Sequence, residues 1–153
     1  MNHNILLTLH IISIIMLLGI GGGSAFYKFM ADRSKNLALI VHTNKMVVLA
    51  DWIFITPAVI IQPITGVMLA NLMGYSFDTW WLLLSLNLYI FSLSLWLVAV
   101  WLQIWMKNMA LNAEKEGKRL DRDYFLLVNY WIGLGVFSSL AMGWVFYLMV
   151  FKP

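Results

Sequence analysis

Four long apolar stretches decide what this chain can become. They run from Ile5 to about Tyr27, from about Met46 to Met73, from Trp80 to about Met106 and from about Phe125 to Phe151. Each supplies the roughly 20 predominantly apolar residues that a helix needs to cross a bilayer. In hydrocarbon every backbone N–H and C=O must be satisfied within the protein, and a run of this kind does so as a helix. The four runs take up most of the 153 residues, with 62% of the chain hydrophobic and only 11% charged. A soluble domain carries roughly half apolar and about a quarter charged residues. The fold class is therefore all-α: a single integral membrane domain over residues 1–153, a four-helix transmembrane bundle running up-down-up-down.

The basic residues set an orientation. Lys28, Arg33, Lys35 and Lys45 are assigned to the first connection, and Lys107, Lys115, Lys118, Arg119 and Arg122 to the third. The connection from Asn71 to Thr79 and the N-terminal tail have none, and the C-terminus has Lys152 alone. Cytoplasmic loops are enriched in Lys and Arg, so the first and third connections are expected in the cytoplasm and both termini on the other side. A bacterial inner membrane is the expected location. Although Gly23-Ser24-Ala25 has the small residues of a cleavage site, no basic residue precedes Ile5 and the run exceeds the length of a signal-peptide core, so it reads as a mature helix. The basic balance suits anionic lipid head groups, and no basic stripe with interleaved aromatics points to nucleic acid. There is no cysteine, which excludes disulfides, thiolate metal sites and cysteine nucleophiles. No phosphate-binding loop, zinc-protease or calcium-loop motif names a reaction, so catalytic residues stay unassigned.

Helical spacing sorts the polar residues. Asp51, Ile55, Ala58, Gln62 and Thr65 recur at three- and four-residue steps and share one face of the second helix. Such a polar stripe faces protein, since lipid would leave it unpaired. Ser85, Tyr89, Ser92, Trp96, Ala99 and Gln103 form a second inward seam, and Gly135, Ser138 and Met142 a third. Gly19 and Gly23 make a small-xxx-small pair expected to bring helix backbones close. Pro57 and Pro63 are expected to kink the second helix and to expose carbonyls that a neighbouring Thr or Gln could satisfy. Asp78-Thr79 is expected to cap the third helix and Asp121 or Asp123 the fourth. The third helix is expected to protrude as far as Gly117, and Asn36 to Val41 to form a short interfacial helix.

Two polar clusters follow. Asp51 and Gln103 lie at similar depth near the cytoplasmic ends of their helices, with Tyr130 as a third member. His10, Gln62, Thr65, Trp81 and Ser85 lie in the outer half, and eleven helical residues place the two clusters roughly 16 Å apart. Asp51 is either a proton-handling or ligand-binding carboxyl, or an interhelical hydrogen bond to Gln103. His10 is the intramembrane histidine. It is either an axial ligand of haem iron or a histidine hydrogen-bonded to a neighbouring helix. His42 lies at the opposite end of the membrane, so a bis-histidine haem inside one protomer is disfavoured; Met68, Met142 and Met149 share His10's half. Met106 and Met109 form a weak soft-metal pair.

The blocks LHIIS, GGGSAFY, ADWIFITPAVIIQPITG, WLQI and LMVFKP resemble a known family over nearly the whole chain. The chain is similar to the predicted integral membrane proteins of domain-of-unknown-function family 2269, most specifically in Ala50, Asp51, Trp52, Phe54, Thr56, Pro57, Gln62, Pro63, Thr65 and Gly66. That family is grouped with CopD-like copper-resistance proteins and HemJ-type protoporphyrinogen oxidases. The latter are small helical bundles that bind b-type haem through a histidine early in the first helix, a position His10 matches. They also carry a lysine within a membrane segment, and none falls within the four spans drawn here. The resemblance implies a haem b redox protein, with His10 as haem ligand and Asp51, Gln62, Thr65 and Gln103 as a polar proton or ligand site. Its expected partners are the lipid bilayer, a quinone or membrane redox protein, and further copies of itself. The rival readings are an accessory or assembly subunit of a membrane complex, and CopD-like handling of metal or small solutes.

Overall fold

A computed structural model describes residues 2–152. Four helices account for nearly all of them: α1 (His3–Ser34), α2 (Leu37–Leu72), α3 (Trp80–Glu116) and α4 (Arg122–Phe151), each long and apolar enough to cross a membrane. Among the described residues there is no strand. Short connections make each helix antiparallel to the next, and α1–α2, α2–α3 and α3–α4 are packed neighbours. At 1.5 Å per residue α3 is roughly 55 Å long, well beyond the roughly 30 Å of hydrocarbon. It ends where Gly117 takes φ +62°, a left-handed conformation that glycine adopts without strain.

The helices outrun the apolar stretches. Helix α1 continues through Lys28 and Arg33, and α2 starts at Leu37 rather than near Met46. The segment Asn36 to Val41 is not a separate interfacial helix; Asn36 caps α2 by accepting from the Leu39 N–H at 3.3 Å. No glycine or proline lies between Leu37 and Ala50, so nothing stops that helix. The expected caps of the other two helices fall at the right positions, Thr79 and Asp121, but neither side chain makes a capping hydrogen bond.

Both prolines of α2 have local consequences. Pro57 has no N–H to give to Ile53, and the turn before it widens to a π turn over Asp51–Ile55. There the Thr56 N–H reaches back to the Asp51 carbonyl, and Thr56 Oγ1 donates to the same oxygen at 2.9 Å. Pro63 likewise leaves the Val59 carbonyl without its helical donor. The Tyr89 hydroxyl of α3 donates to that oxygen. The freed carbonyl is thus satisfied by a tyrosine, where a Thr or Gln was expected. A second π turn, Met16–Ile20 in α1, packs against the one in α2.

One end of the bundle is held by a buried polar network on residues that the sequence placed in a loop. Lys28 is 1% exposed. Its ammonium donates to Asp32 Oδ2 at 2.9 Å, Asn44 Oδ1 at 2.8 Å and the Tyr124 hydroxyl at 3.2 Å. Tyr124 donates to Asp32 Oδ1 at 2.7 Å and accepts from Asn44 Nδ2 at 2.9 Å. All three ammonium protons, both carboxylate oxygens and the phenol are therefore engaged. The ammonium also lies over the rings of Tyr124 and Trp131, at 5.3 and 5.6 Å. Ala31, Ile40, Val41, Met106, Ala110 and Val128 pack apolar surface around the network.

Removing one partner of a buried ion pair costs about 3–5 kcal/mol, and leaving a buried hydrogen-bonding group unpaired about 1–3 kcal/mol. Lys28→Met is therefore expected to destabilise the fold by the larger amount, since Asp32 is left charged and unpaired, and Tyr124→Phe by the smaller. Thermal unfolding in mild detergent, with Tyr130→Phe at an exposed position as control, measures both.

Candidate functional site

Between its packed ends the bundle is hollow. A cavity of ≈ 510 Å³ lies among all four helices, within the roughly 300–1,000 Å³ of small-molecule sites. It follows α3 from Tyr89 to Gln103, fourteen helical residues or roughly 21 Å. The Lys28 network and Trp131 stand at one end; at the other, Ile14, Tyr89 and Met142 form an apolar cluster.

The glycines explain the hollow. Gly19 and Gly23 do not bring helix backbones together: a Cβ added at either would meet nothing within 4 Å. The same holds for Gly21, Gly22 and Gly135, which line the cavity. Small residues leave space here because the helix that would fill it, α4, does not close against α1.

The walls are mainly apolar; Ser24, Asp51 and Gln103 lie toward the network end, and Ser92, Ser138 and Ser139 toward the other. Asp51 and Gln103 are 5% and 6% exposed. The Gln103 amide lies within polar reach of the Asp51 carboxyl, as their common depth predicts. Asp51 Oδ2, Gln103 Oε1 and Trp96 Nε1 nonetheless have no hydrogen-bond partner. Unsatisfied buried polar atoms cost about 1–3 kcal/mol each, so three in one cavity mark a place where a further molecule would be stabilised. Among the described residues Asp51 enters no ion pair. Tyr130 does not join them, being 68% exposed; it points away from the bundle.

The other predicted residues form a separate group. His10 lies against Gly66, where a Cβ would come within 3.2 Å of the imidazole Cε1. Its Nδ1 is 2.9 Å from Thr65 Oγ1 and its Nε2 3.2 Å from Gln62 Nε2. The Thr65 hydroxyl donates to the Ile61 carbonyl at 2.8 Å, so it accepts from His10 Nδ1–H, and His10 Nε2 accepts from the Gln62 amide. Gln62 Oε1 is left unpaired. The space beside this group is ≈ 60 Å³, with Ser85 and Met149 on its walls, enough for about two waters at roughly 30 Å³ each. Tyr89 lines both spaces and separates them. The structure thus brings together Asp51 with Gln103, and His10 with Gln62 and Thr65, but not the two pairs with each other.

Haem b does not fit at His10 in this arrangement. The nitrogen that would bind iron is taken by the Gln62 amide at 3.2 Å, and the adjoining space of ≈ 60 Å³ is far too small for a macrocycle. Met106 is fully buried in the apolar core with Met109 packed beside it, and no group of three His, Asp or Glu suited to a metal occurs among the described residues.

Lys28 is the residue that sequence reasoning missed. It reads as a loop cation because the apolar run ends at Tyr27, immediately before it. The available signal was the spacing of Lys28 and Asp32, four apart with no breaker before Lys35, which makes them ion-pair neighbours on one helix.

Four antiparallel apolar helices enclosing an ionic network and a cavity define a polytopic integral membrane protein of the four-helix class. Within that class, the chain belongs to the family described as predicted integral membrane protein (DUF2269), which it matches over residues 4–153. No curated protein and no solved structure matches it.

Protein purified from haem-replete cells is expected to show no Soret band that depends on His10. Absorption spectra of the wild type and His10→Ala, oxidised and reduced, decide this; a b-type spectrum lost in the variant would mean that Gln62 yields to iron.

Proposed function

We propose that this membrane protein binds a membrane-soluble small molecule of the quinone class in its central cavity, and that it does so in a bacterial inner membrane with the Lys28 end in the cytoplasm. The observation that carries the binding reading is that Asp51 Oδ2, Gln103 Oε1 and Trp96 Nε1, each without a hydrogen-bond partner among the described residues, belong to residues that line one mainly apolar cavity. A quinone brings a flat apolar ring with oxygens at its edge. Trp96 N–H can donate to such an oxygen, and the Asp51 and Gln103 oxygens can accept from the hydroxyl groups of the reduced form. The apolar remainder of the ring suits walls made of Leu17, Ile55 and Leu93. This keeps a redox partner within reach without an internal haem, and it leaves His10 of α1 with a structural role against α2.

The orientation is supported by the distribution of charge. Lys28 is neutralised by Asp32 in its network, yet Arg33, Lys35, Lys115, Lys118, Arg119 and Arg122 remain at the same end, which is the bias that cytoplasmic loops show.

A titration with the hydroquinone of a decyl-chain benzoquinone, kept reduced under anaerobic conditions and read by tryptophan fluorescence in nanodiscs, tests the binding. Saturable binding is expected. Loss of a hydrogen bond inside an apolar site costs about 1–3 kcal/mol, a factor of about 30 at the middle of that range. Asp51→Ala and Gln103→Leu should each weaken binding by about that factor. Gln103→Leu also takes the amide from beside the buried Asp51 carboxyl, so thermal stability is measured alongside binding. Unsaturable partitioning that is identical in all variants overturns the reading. As the chain has no cysteine, Ser34→Cys and Ser76→Cys report orientation cleanly: in intact cells a membrane-impermeant maleimide is expected to label Ser76→Cys only.

A further inference from the structure

The cavity has a side. Helices α1 and α4 close the ring of four, yet they share no extended seam. They meet through side chains at two levels. At one, Lys28 contacts Tyr124 and Trp131; at the other, Ile14 packs with Met142. Between Ile14 and Lys28 lie fourteen helical residues, so the unclosed interval is roughly 21 Å tall.

The residues around this interval belong to the cavity wall and to the outer surface at once. Leu18 and Phe29 of α1 and Val136 and Leu140 of α4 all line the cavity, yet are 39%, 45%, 52% and 61% exposed. Gly22 and Gly135 face the same interval with open space where a side chain would be. None of these six residues is charged. The window sits in the middle of two apolar spans, so what it faces is hydrocarbon, not water.

We propose that the interval between α1 and α4 is a lateral portal through which the ligand of the central cavity enters from the bilayer, and that the ligand is a tailed amphiphile whose hydrocarbon chain lies in the portal while its polar head meets Asp51 and Gln103. The inference rests on the binding reading for the head, but the portal has its own basis in the unclosed apolar window. An elongated, mainly apolar cavity, with the unpartnered Asp51 and Gln103 oxygens toward one end and an opening sideways into hydrocarbon, matches a molecule with one polar head and a long apolar tail. Gly22 and Gly135 are the residues that hold it open, because each is the point on its helix where a larger side chain would project into the gap without touching protein.

Two measurements separate the portal from the identity of the head. In vesicles of phosphatidylcholine bearing a photoreactive diazirine on one acyl chain, illumination should place adducts on Leu93 and Trp96 of α3, at the back of the cavity, as mapped by mass spectrometry of peptides. Gly22→Leu with Gly135→Leu should abolish those adducts while keeping those on the outer residues Ile90 and Phe91. The double variant is expected to fold, since neither new Cβ meets an atom within 4 Å and both changes favour helix; circular dichroism verifies this. Adducts confined to outer faces in the wild type, including the case in which a second copy of the chain covers the window, overturn the portal. In the second measurement the decyl-chain quinone and its tail-less analogue are titrated against wild type and double variant. Weakening of the tailed probe by about tenfold or more, with the tail-less one little changed, supports the portal. Equal affinity of the tailed probe for both proteins overturns it. If neither quinone binds the wild type, the quinone reading fails, and the diazirine adducts still decide the portal.

Discussion

The ion pair between Lys28 and Asp32 is the constraint on which the bundle's organisation rests. A lysine and an aspartate withdrawn from water lose more solvation than their mutual attraction returns unless every remaining donor and acceptor is matched. Here they are matched by Asn44 of α2 and Tyr124 of α4. Because the partners come from three helices, the requirement fixes the register of α1, α2 and α4 at one end. Leu102, Met106 and Ala110 of α3 then pack against the same cluster. The network also supplies the floor of the cavity through Trp131, whose ring lies under the Lys28 ammonium on one side and borders the hollow on the other.

Away from that end the packing is deliberately incomplete. Glycines replace bulk on α1 and α4, and α2 widens into a π turn at the residue that presents its carboxyl. That turn follows from Pro57, which lacks the donor for the preceding helical turn. Pro63 frees the Val59 carbonyl in the same way, and Tyr89 fills the vacancy from α3. A hydrogen bond that α2 cannot make for itself thereby becomes a cross-link between helices, and the same tyrosine forms the wall between the two polar groups. The opposite fates of Asp51 and His10 follow. His10 finds Gln62 and Thr65 on the neighbouring helix and is satisfied at both nitrogens. Asp51 finds a hollow and one carboxamide, and keeps an oxygen unpaired.

Much of this was legible in the residues alone, for stated reasons. Apolar length fixed four helices, because hydrocarbon allows no other way to satisfy the backbone. Three- and four-residue spacing put Asp51, Gln62, Thr65, Ser85, Ser92 and Gln103 on buried faces, where all are found. Other readings failed where the pattern is ambiguous. A small-xxx-small pair does not fix what stands opposite it, and at Gly19 and Gly23 no atom lies within 4 Å of where a Cβ would sit. Tyr130, near the right depth, was placed with Asp51, but its azimuth on α4 carries it outside. Lys28 looked like a loop residue because hydropathy registers the cost of its charge and is blind to its partners, which lie 4, 16 and 96 residues away in sequence.

The sequence by itself determined that this chain is a helical membrane protein, which faces of its helices are polar, and where the backbone of α2 must deviate from a regular helix. Those are properties of single segments in contact with a solvent, set by hydrocarbon length, helical period and proline's missing donor. The tertiary structure decided the rest: that Lys28 is a core residue, that His10 is held by α2, and that Asp51 and Gln103 face a hollow open between α1 and α4. Each of these depends on which side chain stands opposite another across a helix interface. No segment carries that information until the helices have taken their register, and here a four-residue ionic network sets it.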